Sequence, residues 1–152
     1  MLTDYSNLEK EIENAPEPKI LPKGSEVKAR IITVRDGISD KNNAHWYSVV
    51  FDVPSEPLVK EFNGFFWDLS DLSKLEEKAG FGALRGFKNF AAAFDIDYSR
   101  PFSWEDDLPG KEGWVILGVK KDDEYGDKNT VSKYISKRRD MPRPSTQDGV
   151  PF

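Results

Sequence analysis

The stretch His45-Trp-Tyr-Ser-Val-Val-Phe-Asp-Val53 alternates its side chains with a period of two and predicts a β-strand. Its odd-numbered positions form one continuous apolar face: Tyr47, Val49, Phe51 and Val53. Trp46 begins the opposite face. Because a strand with one apolar face packs that face against a core, Trp46 is predicted to point away from the core.

Four other segments have strand character. Apolar and basic residues alternate in residues 27–35, and the Ile31-Ile32 doublet shifts the alternation by one position, as a β-bulge does. Residues 61–69 carry aromatic side chains on both faces. Residues 113–120 and 129–135 follow as a hairpin whose loop is charged and contains a glycine. The sequence therefore predicts a mainly β fold with five strands.

Two helices are predicted between the third and fourth strands. Ser73 and Glu76 fit a capping box and Gly80 fits a helix stop, which predicts a short helix over residues 74–79. An amphipathic helix of about three turns is predicted from apolar residues at helical spacing: Leu84, Phe87, Phe90, Ala91 and Phe94. Three strands, a helical insertion and a hairpin form the element order of the five-stranded OB-fold barrel. SH3-like barrels have a similar number of strands and remain an alternative.

The chain is predicted to divide into three parts. Residues 1–22 contain five acids and two bases and form an acidic N-terminal arm that ends in several prolines. Residues 23–137 form the OB-fold domain. Residues 138–152 contain three prolines, show no periodicity and form a flexible C-terminal tail. A length of 152 residues suits one such domain with short tails.

The composition excludes several classes of protein. The absence of cysteine excludes disulfide scaffolds, thiolate metal sites and cysteine nucleophiles, and the single histidine, His45, leaves little for histidine-based catalysis. No apolar run approaches the roughly 20 residues of a membrane span, and no leader-like segment opens the chain. We therefore expect a cytoplasmic protein that has no membrane partner and needs no metal or cofactor.

The net charge of −5 argues, taken alone, against a nucleic-acid partner. The charges are unevenly distributed, however. Residues 68–110 hold nine acids and five bases, whereas residues 111–139 hold eight bases and five acids. Since a local basic stripe is enough to bind phosphates, the total charge does not exclude nucleic acid.

The candidate binding residues are bases and aromatic residues at the positions where an OB-fold binds its ligand. The first strand and the loop after it contribute Lys28, Arg30, Arg35 and Lys41. The second and third strands contribute Trp46, Phe62, Phe66 and Trp67. The last hairpin contributes Trp114, Lys120, Lys121, Tyr125, Lys128, Lys133 and Tyr134. Single-stranded nucleic acid binds this combination, because cations neutralise phosphates and bases stack on flat rings.

Other interpretations stay open at this point. Each aromatic residue taken singly fits a buried core, although one small barrel has little room for all of them. An aromatic surface also fits a homodimer interface. The carboxylates of Asp95 and Asp97 would suit a small hydrolase, but no partner lysine or base stands near them in the sequence.

The chain resembles the phage-encoded single-stranded DNA-binding proteins. The resemblance rests on Lys23-Gly24 before the first strand, on Trp46-Tyr47-x-Val-x-Phe51 in the second, and on the hairpin Glu124-Tyr-Gly-Asp-Lys-Asn-Thr-Val131. The last residues, Asp148-Gly-Val-Pro-Phe152, are similar to the C-terminal tip of the bacterial family, in which acidic residues precede Ile-Pro-Phe. The chain departs from that family in having few acids before the tip.

The resemblance implies a protein without enzymatic activity that coats single-stranded DNA, independently of sequence, during replication, recombination and repair. It also implies that the tip recruits DNA-processing proteins through Asp148, Val150, Pro151 and Phe152. The alternative is a protein-interaction module of the replication or recombination machinery that has no intrinsic affinity for DNA.

Overall fold

The structure, a computed structural model, describes residues 1–136 and is mainly β. Its strands are β1 (Glu26–Ile38), β2 (His45–Asp52), β3 (Phe62–Trp67), β4 (Glu112–Lys120) and β5 (Lys128–Ile135). Its α-helices are α1 (Glu9–Glu13), α2 (Glu77–Phe94) and α3 (Trp104–Asp107), and 3₁₀ turns cover Ser6–Leu8 and Leu69–Lys74. The strands form one antiparallel sheet in the order β3-β2-β1-β4-β5. The predicted five strands, and a helix between the third and fourth, are confirmed.

Strand β1 joins the two halves of the sheet. Its residues 26–30 pair with β4, and its residues 30–38 pair with β2. The register with β2 shifts between Ile31 and Thr33, which confirms the predicted irregularity at the Ile31-Ile32 doublet. Because a bulge bends a strand and increases its twist, β1 can pair with a different neighbour on each side of it.

The core lies on the inner face of the sheet. The apolar face predicted for β2 is confirmed, since the following side chains are buried: Tyr47, Val49, Phe51 and Val53. Phe51 lies 5.5 Å, between ring centroids, from Phe62 of β3 and 5.4 Å from Phe94 of α2. Helix α2 therefore covers the inner face with its own aromatic residues.

Helix α2 is longer than predicted, and the prediction of a separate short helix over residues 74–79 is wrong. A 3₁₀ turn occupies Leu69–Lys74, and α2 runs from Glu77 through Gly80 to Phe94. Gly80 is buried, and a Cβ at this position would lie 3.6 Å from Leu72. A glycine costs about 1 kcal/mol inside a helix, which burial of Phe87, Phe90 and Phe94 outweighs. No helix within residues 1–136 is both long and apolar enough to span a bilayer.

The two edge strands of the sheet, β3 and β5, approach each other. The ring centroid of Tyr134 in β5 lies 6.0 Å from that of Phe66 in β3. A Cβ on Gly64 would overlap the Tyr134 hydroxyl, so the close approach requires glycine at this position of β3. Tyr134 thus links the far ends of the sheet through the core.

The segment that leads from the N-terminal arm into β1 is attached to the last hairpin. The side chain of Asn129 in β5 accepts a hydrogen bond from the backbone N–H of Leu21 and donates one to its carbonyl, both at 2.9 Å. Asn129 also donates to the carbonyl of Gly118 at 3.0 Å, and it is buried. Burial of this amide is tolerated because these three hydrogen bonds satisfy it.

Candidate nucleic-acid interface

Trp46, Phe65 and Trp67 cluster on the outer face of β2 and β3; we call this cluster the aromatic face. Trp46 lies directly opposite Trp67 across the β2–β3 ladder. The ring centroid of Phe65 lies 6.0 Å from that of Trp46 and 5.1 Å from that of Trp67. Phe65 is 55% exposed, and both tryptophans are half-buried. Exposed clusters of large rings are typical of binding surfaces.

Alternation along β3 determines which rings face outward. Phe62, Gly64 and Phe66 point to the core, so Phe65 and Trp67 point to solvent. On β1, Gly37 lies opposite Trp46, and a Cβ there would overlap the indole ring. The ring of Trp46 therefore lies over the backbone of β1, which only glycine allows at this position.

Arg35 is the cation of β1 that lies next to the aromatic face. It pairs in register with Ser48, which in turn lies opposite Phe65, so the three residues form one row across the sheet. Arg35 is exposed and forms no ion pair within residues 1–136. Its guanidinium is therefore available to a phosphate beside the rings.

Two of the predicted cations on β1 have carboxylate partners instead. Arg30 donates from Nε and Nη2 to the two carboxylate oxygens of Asp52, at 3.1 and 2.6 Å. The ammonium of Lys28 lies 3.0 Å from a carboxylate oxygen of Glu112. Because each pair compensates its own charge, the cations of Arg30 and Lys28 are less available to an anion than that of Arg35.

The loops adjoin opposite ends of β3. Exposed Lys41 lies in the β1–β2 loop, which leads directly to Trp46. The tip of the β4–β5 hairpin contacts the residues that precede β3, where the ammonium of Lys60 lies 3.4 Å from the carbonyl oxygen of Asp127. A ligand that follows the outer face of β3 therefore passes from one loop to the other.

The predicted residues of the last hairpin fall into two groups. Around its tip, Lys120 and Lys128 are exposed and face each other in register, Tyr125 is 77% exposed, and Lys121 pairs with Asp127 at 2.9 Å. The second group lies on the strands themselves. There Lys133 is exposed opposite Ile116, and half-buried Trp114 lies between Lys28 and Ile135. Trp114 therefore lies on β4, and β1 stands between β4 and the two strands that carry the aromatic face.

Three of the predicted binding residues, Phe62, Phe66 and Tyr134, pack on the core side of the sheet and are not on its outer face, so their prediction as binding residues of that face is wrong. Phe62 and Phe66 are 1% and 6% exposed, because their positions in the alternation of β3 face inward. Tyr134 packs among the rings of Phe51, Phe66 and Phe90, and burial raises its pKa. None of the three rings lies on the outer face beside Trp46, Phe65 and Trp67.

Phe65 is the residue that the sequence-based prediction omitted. Aromatic residues stand on both faces of β3, so aromatic character alone did not distinguish the outer face. The polar residue Asn63 provides the signal that does, because it shares a face with Phe65 and Trp67 and donates a 2.7 Å hydrogen bond to Ser48 Oγ.

A polar cluster holds the end of β2 next to Trp46. His45 Nε2 lies 2.7 Å from Asp36 Oδ2, and the backbone N–H of His45 donates to Asp71 at 2.8 Å. Tyr47 donates weakly to Asp68, at 3.4 Å. Burial, reinforced by nearby carboxylates, raises the pKa of Tyr47 to about 12. These contacts give His45 a structural role and restrict the strand that carries Trp46.

A groove of about 470 Å³ adjoins the aromatic face. It lies between β3, α2 and β5, and Phe65 and Trp67 form part of its wall. Small residues of α2, among them Gly82 and Ala83, line the opposite side. The groove therefore offers room beside the aromatic face for a group that stacks on it.

Asp97, one of the two carboxylates considered for a hydrolase, has local structural partners. Asp97 accepts hydrogen bonds from the backbone and the hydroxyl of Ser99 and pairs with Arg100. Residues 105–107 form most of α3, whose first turn is capped by Ser103. Across the described part of the chain, no three His, Asp or Glu side chains are placed to hold a metal ion.

The predicted tail residues, Asp148, Val150, Pro151 and Phe152, lie outside the described residues.

The sequence of the whole chain was also compared with known proteins. No protein-family model matches the chain, and no curated protein matches it in sequence.

Proposed function

We propose that the protein binds single-stranded DNA, independently of sequence, on the outer face of β1, β2 and β3. The aromatic face beside Arg35 is the observation that carries the proposal. Exposed rings provide stacking surfaces that accept any base, and an available cation next to them meets the backbone phosphate. The exposed rings and the cation lie on the same face of the sheet, and Arg35 and Phe65 are in register across β2.

The proposal includes an OB-fold barrel. Four observations support it: the strand order, the bulge that lets β1 pair with both neighbours, the approach of β3 to β5, and the helix between β3 and β4. In an OB-fold the ligand crosses strands two and three between the first and last loops. The aromatic face lies on those two strands, and the two loops lie at the two ends of β3.

The length of this path suits a short stretch of single-stranded DNA. The chain from Lys60, beside the hairpin tip, to Trp67, beside the β1–β2 loop, rises about 23 Å at 3.3 Å per residue. Single OB-folds bind about 4–16 nucleotides. We therefore place the phosphates between Arg35 and the exposed lysines that lie in or directly beside the two loops: Lys41, Lys120 and Lys128.

The biological role that follows is non-enzymatic. The protein would coat single-stranded DNA during replication, recombination and repair, as the phage-encoded proteins that it resembles do. The tail from Asp148 to Phe152 would recruit DNA-processing proteins. In this account the acidic residues of the arm and of the helical region reduce the total charge without entering the DNA path.

A second candidate is a protein-interaction module without affinity for DNA. The observation that favours it is a separate apolar surface on α2 and the loop after it, where Phe81, Leu84 and Tyr98 are exposed. This surface is not part of the aromatic face, so the two candidates do not compete for the same residues. An electrophoretic shift with single-stranded but not duplex DNA distinguishes them.

The salt dependence of DNA binding tests the proposal through Arg35. Each phosphate contact to single-stranded DNA contributes about 0.7 to the slope of log affinity against log salt. Arg35→Ala should lower that slope by about this amount, because the side chain carries no competing carboxylate. Arg30→Ala is the matched control, and it should change the slope less because Asp52 already compensates Arg30.

If the wild type and Arg35→Ala had equal slopes of log affinity against log salt, Arg35 would not contact a phosphate of the DNA. Absence of any binding to single-stranded DNA at low salt would overturn the proposed function and favour the interaction module.

A further inference from the structure

The N-terminal arm carries an unpartnered apolar stripe. Tyr5, Leu8 and Ile12 recur at the spacing i, i+3 and i+7, which places them on one side of the helical segment formed by Ser6–Leu8 and α1. All three are exposed, by 62%, 44% and 57% respectively. A helical segment this short has little stability of its own, so packing of its apolar stripe on another surface would stabilise it.

A second apolar stripe lies on the solvent side of α2. Phe81 and Leu84 are exposed at the spacing i and i+3, and Lys88 continues the stripe at i+7. Beside it is a cavity of about 890 Å³ between α2, α3 and the loop that joins them. The cavity walls include Phe87, Phe102 and Trp104, so the surface extends into an apolar recess.

The two stripes carry opposite charge. Residues 1–13 contain four acids and one base, and Glu9 and Glu13 flank the apolar stripe of the arm. Helix α2 contains three bases and one acid, and Arg85 and Lys88 lie along its stripe. Within residues 1–136 none of these four flanking residues forms an ion pair. Packing of the stripes would therefore pair charges as well as bury apolar surface.

The arm does not cover α2 of its own chain, since both apolar stripes are exposed, and its attachment lies at the opposite end of β3 from the cavity. Lys19 is hydrogen-bonded at 2.8 Å to Leu58 and to Lys60, just before β3, whereas Leu69 and Ser70, just after β3, line the cavity. The five residues 14–18 span at most about 18 Å when extended, which is no longer than β3 itself. A second copy of the chain meets no such restriction.

We propose that the arm of one copy packs its Tyr5-Leu8-Ile12 stripe on the α2 stripe and cavity of a second copy. The chain then self-associates without DNA and without use of the aromatic face. Each copy has one arm and one α2 surface. When each arm packs on α2 of the other copy, the two copies form a closed, symmetric dimer. Both contacts join an acidic stripe to a basic one.

Charge reversal on the two stripes tests the proposal in the full chain. The first variant, with Glu9→Lys and Glu13→Lys, makes the arm basic, and the second, with Arg85→Glu and Lys88→Glu, makes the α2 stripe acidic. Each variant alone would oppose like charges and should have at least about tenfold weaker self-association than the wild type. An equimolar mixture should regain the wild-type association, because both arm-to-helix contacts then join opposite charges.

Sedimentation velocity over a range of concentrations, in the absence of DNA, measures the result against the 17.3 kDa monomer. Leu8→Ser with Ile12→Ser should weaken association as well, whereas Leu58→Ser, an exposed leucine outside both stripes, should not. Circular dichroism verifies that each variant is folded. A wild-type chain that remains monomeric at every concentration, or a mixture of the two variants that fails to associate, would overturn the proposal.

Discussion

Replacement of both Trp46 and Phe65 with alanine is expected to lower the affinity for single-stranded DNA by about 10- to 1,000-fold. Base–aromatic stacking contributes about 1–3 kcal/mol per base, and two rings in contact contribute less than twice one ring. Both rings belong to the aromatic face, where their centroids are 6.0 Å apart. Fluorescence anisotropy with a labelled oligo-dT at constant salt measures the loss.

Tyr98→Ala is the matched control for this pair. Tyr98 is an aromatic residue that is 60% exposed, but it lies in the loop after α2 rather than on the aromatic face. The control should bind oligo-dT with wild-type affinity. If the double variant bound as tightly as the control, the aromatic face would not be the stacking surface.

Replacement of Phe62 with alanine is expected to destabilise the fold by about 3–5 kcal/mol. Phe62 is 1% exposed and packs on Phe51, so its removal leaves a cavity between β2 and β3. Phe65→Ala, three residues further along the same strand, should change the free energy of unfolding by less than about 1 kcal/mol because the ring is largely in solvent. Urea unfolding followed by circular dichroism measures both values.

The comparison separates the two faces of β3, since both substitutions remove a phenylalanine ring. Phe65→Ala should weaken binding to oligo-dT while the fold stays intact, and Phe62→Ala should act through stability. Equal destabilisation by the two substitutions would contradict the assignment of β3 faces.

The strands of the fold were predictable because alternation is a local signal. In β2 every second residue is apolar, and burial of Tyr47, Val49, Phe51 and Val53 follows directly from that pattern. The irregularity in β1 was predictable for the same reason, since two adjacent isoleucines cannot both lie on one face of a regular strand. Neither feature depends on a residue that is distant in the sequence.

The course of α2 was not predictable from local signals. Gly80 normally indicates the end of a helix, but here it is buried near Leu72 and the helix continues. The helix is stabilised by the contact of its aromatic residues with the sheet. That contact is distant in sequence from Gly80, so the residues around Gly80 do not predict it.

The candidate site was predictable in part. Trp46, Trp67 and Arg35 were each predicted from local strand patterns, and the structure places all three on one outer face of the sheet. The ion pair of Arg30 with Asp52 depends on the register between β1 and β2, which composition does not reveal. Phe62 and Phe66 were predicted as binding residues although they face the core, because aromatic residues occupy both faces of β3 and do not show which face is the outer one.

We propose that the aromatic face binds single-stranded DNA. Titration of the full chain with oligo-dT, followed by intrinsic tryptophan fluorescence at low and at high salt, tests it most directly. Trp46 and Trp67 are half-exposed, so stacked bases should quench their emission at low salt, and high salt should reverse the quenching as phosphate contacts weaken. An emission that does not change at any DNA concentration at low salt would contradict the account.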